Sequence, residues 1–330
     1  MLRGVLAACP QAETILIPMA DGGEGFAVAF MNVLGGLWRH VTVCGPLGEA
    51  VEAGYALVGN GRTAVIDMAS CCGLALLPPE KRNPLHTTTY GVGQLLLDAA
   101  DNGAQEIILG LGGSATVDGA CGMVQAAGVA FFDSVGKIET PICGGMLSQL
   151  QCIDSGALDE RLRKIRIRAA CDVTNPLLGP HGAARVFGPQ KGADAPTVEK
   201  LENGLAHLSE LLPHAAKDFP GAGAAGGAGF GVKAFFDAGT ERGAELLMDA
   251  CCFNDRLAGA DLLITGEGRI DSQTAGGKTC HAVAGRAKLH NVPVLALAGS
   301  LGSGIENLND VFTAVFSICD GPMSLSDAMR

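Results

Sequence analysis

The chain has 330 residues, of which 17% are charged and 48% hydrophobic. That excludes a disordered chain and leaves ample material for a packed core. Its formal net charge is −11, from 23 Lys and Arg against 34 Asp and Glu, which excludes nucleic acid and anionic membranes as expected partners while allowing a local basic pocket for a small anion. At about 100–200 residues per domain, the length predicts two domains.

Residues 2–9 read as the tail of a helix, and Thr14–Pro18 as a short strand. The loop from Asp21 to Gly25 leads into a helix ending near Leu34. Trp38–Val43, Ala53–Val58 and Thr63–Met68 read as strands, the last two joined by a Gly59-Asn-Gly61 hairpin turn. Gly91–Asn102 is helical, with Leu95, Leu96 and Ala99 on one stripe. Glu106–Leu109 is a buried strand, followed by a Gly-rich turn, a helix over Gly119–Ala127 and a strand over Val129–Phe132. Ile165–Cys171 alternates like a strand and runs into Asp172. Pro196–Leu212 places Leu201, Leu205, Leu208 and Leu212 in helical register. The glycines of Pro220–Gly231 lead into a helix. Asp261–Thr265 and Val292–Ala298 read as strands, each followed by a Gly turn, and Ser324–Arg330 as the start of a helix. Strand, Gly turn and helix repeating in this way predict an α/β fold with a mostly parallel sheet.

The 12 Cys show no C-x-x-C metal spacing and no secretory signal opens the sequence, so they read as core thiols of a cytoplasmic protein. No uncharged apolar run approaches the ~18 residues of a membrane span. The seven His have no paired spacing and read as structural.

A Gly turn that ends a strand and opens a helix aims backbone N–H groups at one spot, where anions bind. Four such turns are expected: Asp21–Gly25, Gly110–Ser114, Gly221–Gly229 and Gly266–Gly268. Gly113, Gly226 and Gly266 are expected around one cavity, because ligands bind outside the carboxyl ends of parallel strands. Gly110-Leu-Gly-Gly-Ser-Ala115 fits G-x-G-x-x-A, with Asp133 near the place of a ribose-binding acid, which makes an NAD(P)-dependent oxidoreductase the alternative function. Against it, Asp118 at the expected helix start would repel a pyrophosphate. Ser272–Thr279 ends like a P-loop but has Ser272 where the first Gly belongs.

The remaining polar groups point to phosphoryl transfer. That chemistry needs cations on the moving group, a carboxylate for Mg²⁺ and a carboxylate to accept the proton of the attacking hydroxyl. Arg269, Lys278 and Lys191 are the cations for phosphate or a substrate carboxylate. Asp118, Asp172, Glu267 and Asp271 are the carboxylates for metal or base. Asp172, Asp271, Lys278 and Arg269 are taken as catalytic, and Asp118 and Glu267 as the Mg²⁺ ligands. Asp21, Gly22, Gly23, Gly112, Gly113, Ser114, Thr116, Asp118, Lys191, Gly226, Gly227, Gly266 and Glu267 are taken as substrate- and phosphate-binding.

Taken together these blocks resemble the glycerate kinase type 1 family, the bacterial glycerate 2-kinases. The carriers are Met19-Ala-Asp-Gly-Gly-Glu-Gly25, Gly45-Pro-Leu-Gly48, Leu111-Gly-Gly-Ser-Ala-Thr-Val-Asp-Gly119, Ala170-Cys-Asp-Val-Thr-Asn-Pro-Leu177 and Phe187-Gly-Pro-Gln-Lys-Gly-Ala193. Gly221–Gly227, Ile264–Thr274, Gly277-Lys278 and Ala296–Ser300 follow in family order. The resemblance implies ATP-dependent phosphorylation of D-glycerate to 2-phosphoglycerate with Mg²⁺; a homo-oligomer is a separate expectation. It implies two α/β domains with the site in a cleft between them. One would be Rossmann-like and discontinuous, residues 1–48 and 255–330, and the other inserted, residues 49–254. Members of the family begin with a strand and a loop resembling A-P-D-S-F-K and continue past Ala328, so the chain reads as shortened at both ends. Thr14–Pro18 is then expected at or near a raw sheet edge, and the chain is expected to be weakly active or inactive and aggregation-prone.

Overall fold

The structure is a computed structural model that describes residues 1–272, 274, 279–308, 310–319, 321, 323, 324 and 326. Lys278, the P-loop-like Gly276-Gly277 and most of the expected last helix lie outside the described residues. In chain order the elements are α1 (Leu2–Ala8), α2 (Phe26–Leu34), β1 (Leu37–Cys44), β2 (Ala50–Val58), β3 (Thr63–Asp67), α3 (Ala69–Cys72), α4 (Tyr90–Asp101) and β4 (Glu106–Gly110). Then come α5 (Cys121–Ala126), β5 (Ala130–Phe132), β6 (Cys152–Asp154), α6 (Glu160–Lys164), β7 (Arg166–Ala170), α7 (Ala183–Phe187), α8 (Ala195–Leu211), α9 (Ala224–Phe236) and β8 (Thr240–Glu241). The chain continues with α10 (Gly243–Ala250), α11 (Phe253–Leu257), β9 (Leu263–Ile270), α12 (Thr279–Leu289), β10 (Val294–Leu301) and β11 (Ala314–Ser317).

The chain divides into two compact units, one of Ala20–Leu247 and one of Met1–Met19 with Met248–Arg330. The larger unit holds a six-stranded sheet in the order β1-β2-β3-β4-β7-β8. The hairpin-joined β1, β2 and β3 are antiparallel, and β3, β4, β7 and β8 run parallel. The stripes read from the sequence face inward: Leu95, Leu96 and Ala99 of α4, which packs on β1 and α5, and Leu201, Leu205 and Leu208 of α8, which packs on α7 and the turn Gly144–Gln149, are fully buried. The smaller unit holds a parallel sheet in the order β11-β10-β9. The fold is therefore α/β with mostly parallel sheets. Residues 20–48 lie with the larger unit, because β1 pairs along its whole length with β2.

Four local expectations are corrected. Thr14–Pro18 is not a strand: it pairs with nothing among the described residues, and Ile15 and Leu16 are exposed. Strand preference is largely packing against neighbouring strands, and this segment has no such neighbour among the described residues. Gly266–Gly268 is not a turn. Strand β9 continues through it, with Gly266 opposite Leu297 of β10, where a Cβ would come within 2.6 Å of the Leu297 carbonyl oxygen. Gly299 and Ser300 likewise extend β10. Helix α5 starts at Cys121 rather than Gly119, because Gly119 and Ala120 both sit at positive φ, 60° and 64°. Finally, Cys9, Cys152 and Cys252 are exposed rather than core thiols.

Candidate active site

Strand β4 lies between β3 and β7, parallel to both, so its carboxyl end delivers residues 111–120 to the side of the sheet where α/β folds bind ligands. Glycines let three segments meet there. The Gly112 N–H donates to the Gly22 carbonyl at 2.9 Å, and a Cβ on Gly112 would lie 2.6 Å from the Gly23 Cα. Gly226, at φ +68°, brings its backbone so close to Thr116 that a Cβ would sit 2.1 Å from the Thr116 oxygen. Gly227 abuts Leu205 and Leu177, so it serves packing under the site rather than facing a ligand. Asp21–Gly23, Gly112–Thr116 and Gly226 therefore come together, whereas Gly266, expected with them, lies within β9 of the smaller unit.

Lys191 reaches this place from the short turn Pro189–Lys191. It is only 3% exposed, and its Nζ donates to Ser114 Oγ at 2.9 Å and to the Thr116 carbonyl at 2.8 Å. Burial pulls its pKa down to about 8, against the opposing influence of Cys72 and Asp118. Thr116 is fully buried and its Oγ1 has no hydrogen-bond partner among the described residues; Ser70 Oγ is a second such buried hydroxyl.

Asp118 is fully buried and saturated with donors. Its Oδ2 accepts from the Thr89 N–H and hydroxyl, both at 2.8 Å, and from the Gly122 N–H at 3.3 Å; its Oδ1 accepts from Ala120 N–H at 3.3 Å. Burial pushes its pKa up while these bonds oppose the shift. It ties the start of α4 to the start of α5, and this donor set does not fit a metal ligand. Thr89 was missed in the sequence; the run Thr87-Thr88-Thr89, wholly apolar in burial yet polar in chemistry, was the available signal.

Asp172 follows β7 and accepts the Gly243 N–H on Oδ1 at 2.9 Å. Its Oδ2 has no partner among the described residues. Burial raises its pKa to about 6, and the charge of Asp21 adds to the rise. A Cβ on Gly243 would lie 2.4 Å from the Asp21 carbonyl carbon, so Asp21, Asp172 and the first turn of α10 are in direct contact. Asp67, also missed, ends β3 and accepts from the N–H groups of Gly25 and Ala27 at 3.0 and 2.8 Å, capping α2; burial lifts its pKa to about 6.

In the smaller unit, Glu267 lies in β9 opposite Ala298. Its Oε1 accepts the hydroxyl of Thr274, which itself accepts the Asp271 N–H at 3.3 Å. Arg269 donates from Nε to Asp271 Oδ2 at 3.0 Å and is otherwise largely exposed. Among the described residues Glu267 is the one charged side chain on the wall of a cavity of about 680 Å³ between α1 and the sheet, lined also by Val5, Ile264, Gly266, Leu297 and Ile318. Among the described residues no three His, Cys, Asp or Glu side chains gather as a metal cluster. Mg²⁺ in phosphoryl-transfer sites takes one or two carboxylates and completes its shell with phosphate and water, which the single open oxygen of Glu267 fits.

The dinucleotide reading of Gly110–Ala115 fails on geometry. A Rossmann fingerprint needs its turn to open a helix that crosses to an adjacent parallel strand. Here α5 begins only at Cys121, and β5 pairs antiparallel with β6 in a separate two-stranded sheet. Asp133 therefore does not end a neighbour of β4.

An α/β chain with Gly turns after its strands and a buried lysine beside one of them has parts that a phosphotransferase uses. The model of the glycerate kinase family matches residues 1–330. The chain is 49% identical to a glycerate kinase of Halalkalibacterium halodurans and 45% identical to the glycerate 2-kinase of Escherichia coli, in each case over 99% of this chain and 87% of the relative. It is also similar to a crystal structure described as a glycerate kinase 2 of Salmonella typhimurium LT2, at 44% identity and a TM-score of 0.86, covering 99% of this chain and 87% of that one. The chain belongs to the glycerate kinase family. No helix among the described residues is long and apolar enough to cross a membrane.

Proposed function

We propose that this chain transfers the γ-phosphoryl group of ATP to the 2-hydroxyl of D-glycerate, giving 2-phosphoglycerate. The observation that carries the reading is the family match over the whole chain together with relatives named glycerate kinase at 45–49% identity. The geometry around β4 and β7 supports it. Asp172 is the general base: one oxygen is fixed by Gly243, the other is open, and a pKa of about 6 leaves it ionised at neutral pH yet basic enough to accept a proton from the attacking hydroxyl. The turns Asp21–Gly23 and Gly112–Thr116 supply backbone N–H groups and hydroxyls for anionic oxygens. Glu267 is the carboxylate we assign to Mg²⁺, which when bound neutralises charge on the transferring phosphate. Arg269, held by Asp271, and Lys278 are the cations we assign to phosphate. Asp118, saturated by Thr89, Ala120 and Gly122, shapes the turn instead of binding a ligand. We read the two units as two domains, the discontinuous one comprising Met1–Met19 and Met248–Arg330.

Incubation of the purified chain with ATP, Mg²⁺ and D-glycerate should release ADP only when glycerate is present. Phosphorus NMR of the product should show the phosphate coupled to the single C2 proton. Coupling to the two C3 protons would move the reaction to the 3-hydroxyl, and no glycerate-dependent ADP would sink the reading.

A further inference from the structure

Lys191 and Ser114 pose a hydrogen-bond puzzle that the chain does not solve internally. An ammonium group has three protons and no lone pair. Lys191 gives one proton to Ser114 Oγ and one to the Thr116 carbonyl, and the third has no acceptor among the described residues. Because Lys191 can only donate, Ser114 Oγ accepts from it, and the Ser114 proton must point elsewhere. No acceptor for that proton lies among the described residues. The Thr116 hydroxyl is also buried without a partner. The N–H groups of Gly113 and Ser114 meet no backbone acceptor among the described residues, while Gly113 itself is exposed, so the turn opens to solvent. A buried ammonium without a paired carboxylate, beside surplus donors, is costly unless something that only accepts arrives. That description is met by an anionic oxygen.

We propose that Ser114 donates a hydrogen bond to an anionic substrate oxygen, of carboxylate or phosphate, and that Lys191 is a positioning residue that fixes the direction of this donation. The inference rests on the kinase reading above, since glycerate and ATP are the two sources of such an oxygen there. In its ammonium form Lys191 keeps the Ser114 proton directed at the ligand. As a neutral amine it acquires a lone pair, can accept that proton, and turns the hydroxyl inward. The titratable groups facing Lys191 are Cys72 and Asp118. The Cys72 thiol is pushed well above its usual range and stays neutral, and Asp118 is fixed by Thr89, Ala120 and Gly122. Lys191, at about 8, is the one of the three that changes charge in mildly alkaline solution.

The test measures binding of D-glycerate and of inorganic phosphate, each alone, to the unmodified protein by calorimetry between pH 7 and 9. One of the two anions should lose affinity about tenfold over that range, the fall in protonated amine for a group titrating near 8. The anion affected identifies the occupant. Ser114→Ala should weaken the same anion about tenfold or more, the equivalent of a charge-assisted hydrogen bond, and Ser114→Thr, which keeps the hydroxyl, should restore most of it. Lys191→Met should remove the pH dependence without lowering the melting temperature, because a methionine of similar volume relieves a buried unpaired charge. Should Lys191→Met fail to fold, the pH series and the Ser114 variants decide alone. Flat affinity for both anions, binding of neither, or unchanged affinity in Ser114→Ala overturns the proposal. Because no turnover is needed, binding as expected without ATP hydrolysis would defeat the kinase reading alone, and turnover with flat affinities would defeat this inference alone.

Discussion

Asp172 combines one fixed oxygen, one open oxygen and a pKa raised to about 6 by burial. A base must be ionised to accept a proton, so kcat should fall as pH drops through about 6 and level off above it. Asp172→Asn keeps the acceptor for the Gly243 N–H and removes the basicity. Its kcat should drop by about 10²–10⁴-fold, as loss of a positioned base does, with the melting temperature held or raised. A drop in stability with unchanged kcat in steady-state assays would reassign Asp172 to the fold. Asp118 shows the contrast at the same scale. From sequence the two acids are alike, and only the count of donors around each tells a base from a strut.

At the scale of elements, the site depends on how β3, β4 and β7 hand their following loops to one another. Asp67 at the end of β3 caps α2, and Asp67→Ala would strip the buried Ala27 N–H and the half-buried Gly25 N–H of their acceptor. The expected loss is about 1–2 kcal/mol in urea unfolding. Gly226 is tighter still. Its φ of +68° and the 2.1 Å approach of a hypothetical Cβ to the Thr116 oxygen leave no room for a methyl group. Gly226→Ala should cost about 2 kcal/mol or more and, because it pushes on Thr116, raise KM for glycerate or ATP as well. A stability loss with unaltered KM would show that the turn relaxes without disturbing the site. These contacts join residues far apart in sequence, and no local pattern announces them.

For the whole molecule, buried charges set how stability responds to pH. Asp67 and Asp172 have folded pKa values of about 6 against an ordinary 3.8, so the folded state binds protons more readily than the unfolded chain. Their contribution is greatest below about pH 4 and is lost as pH rises to about 6. Lys191 is lowered to about 8 from an ordinary 10.5, so its contribution is lost as pH falls through 8 and is restored above 10.5. Between pH 6 and 8 all three are charged, Asp67 and Lys191 buried and Asp172 half-buried, which is the state the proposed chemistry uses. Melting temperatures of Asp172→Asn should therefore decline less between pH 4 and 6 than those of the parent. In hydrogen exchange, the amides of β4, paired on both sides and buried at Ile107, Ile108 and Leu109, should be slowest in the larger unit, and those of the edge strand β8 fast.

The sequence by itself determined the helices with apolar stripes, the β2–β3 hairpin, the α/β class and the family. It did so because those signals are local periodicities, turn chemistry and ordered motifs. It also singled out Lys191, Ser114 and Thr116, which the structure brings into hydrogen-bonding contact, because Gly-rich turns after strands mark such places. Only the tertiary structure decided that Gly266–Gly268 stays in β9, that Thr14–Pro18 pairs with nothing, and that Gly110–Ala115 is not a dinucleotide fingerprint. Each of those depends on which backbone lies alongside, and a strand or a βαβ crossover exists only with its neighbour. The same holds for Asp118 and Lys191: whether a charge is a strut, a base or a waiting donor is fixed by partners from distant segments, which burial and hydrogen bonding supply and spacing along the chain does not.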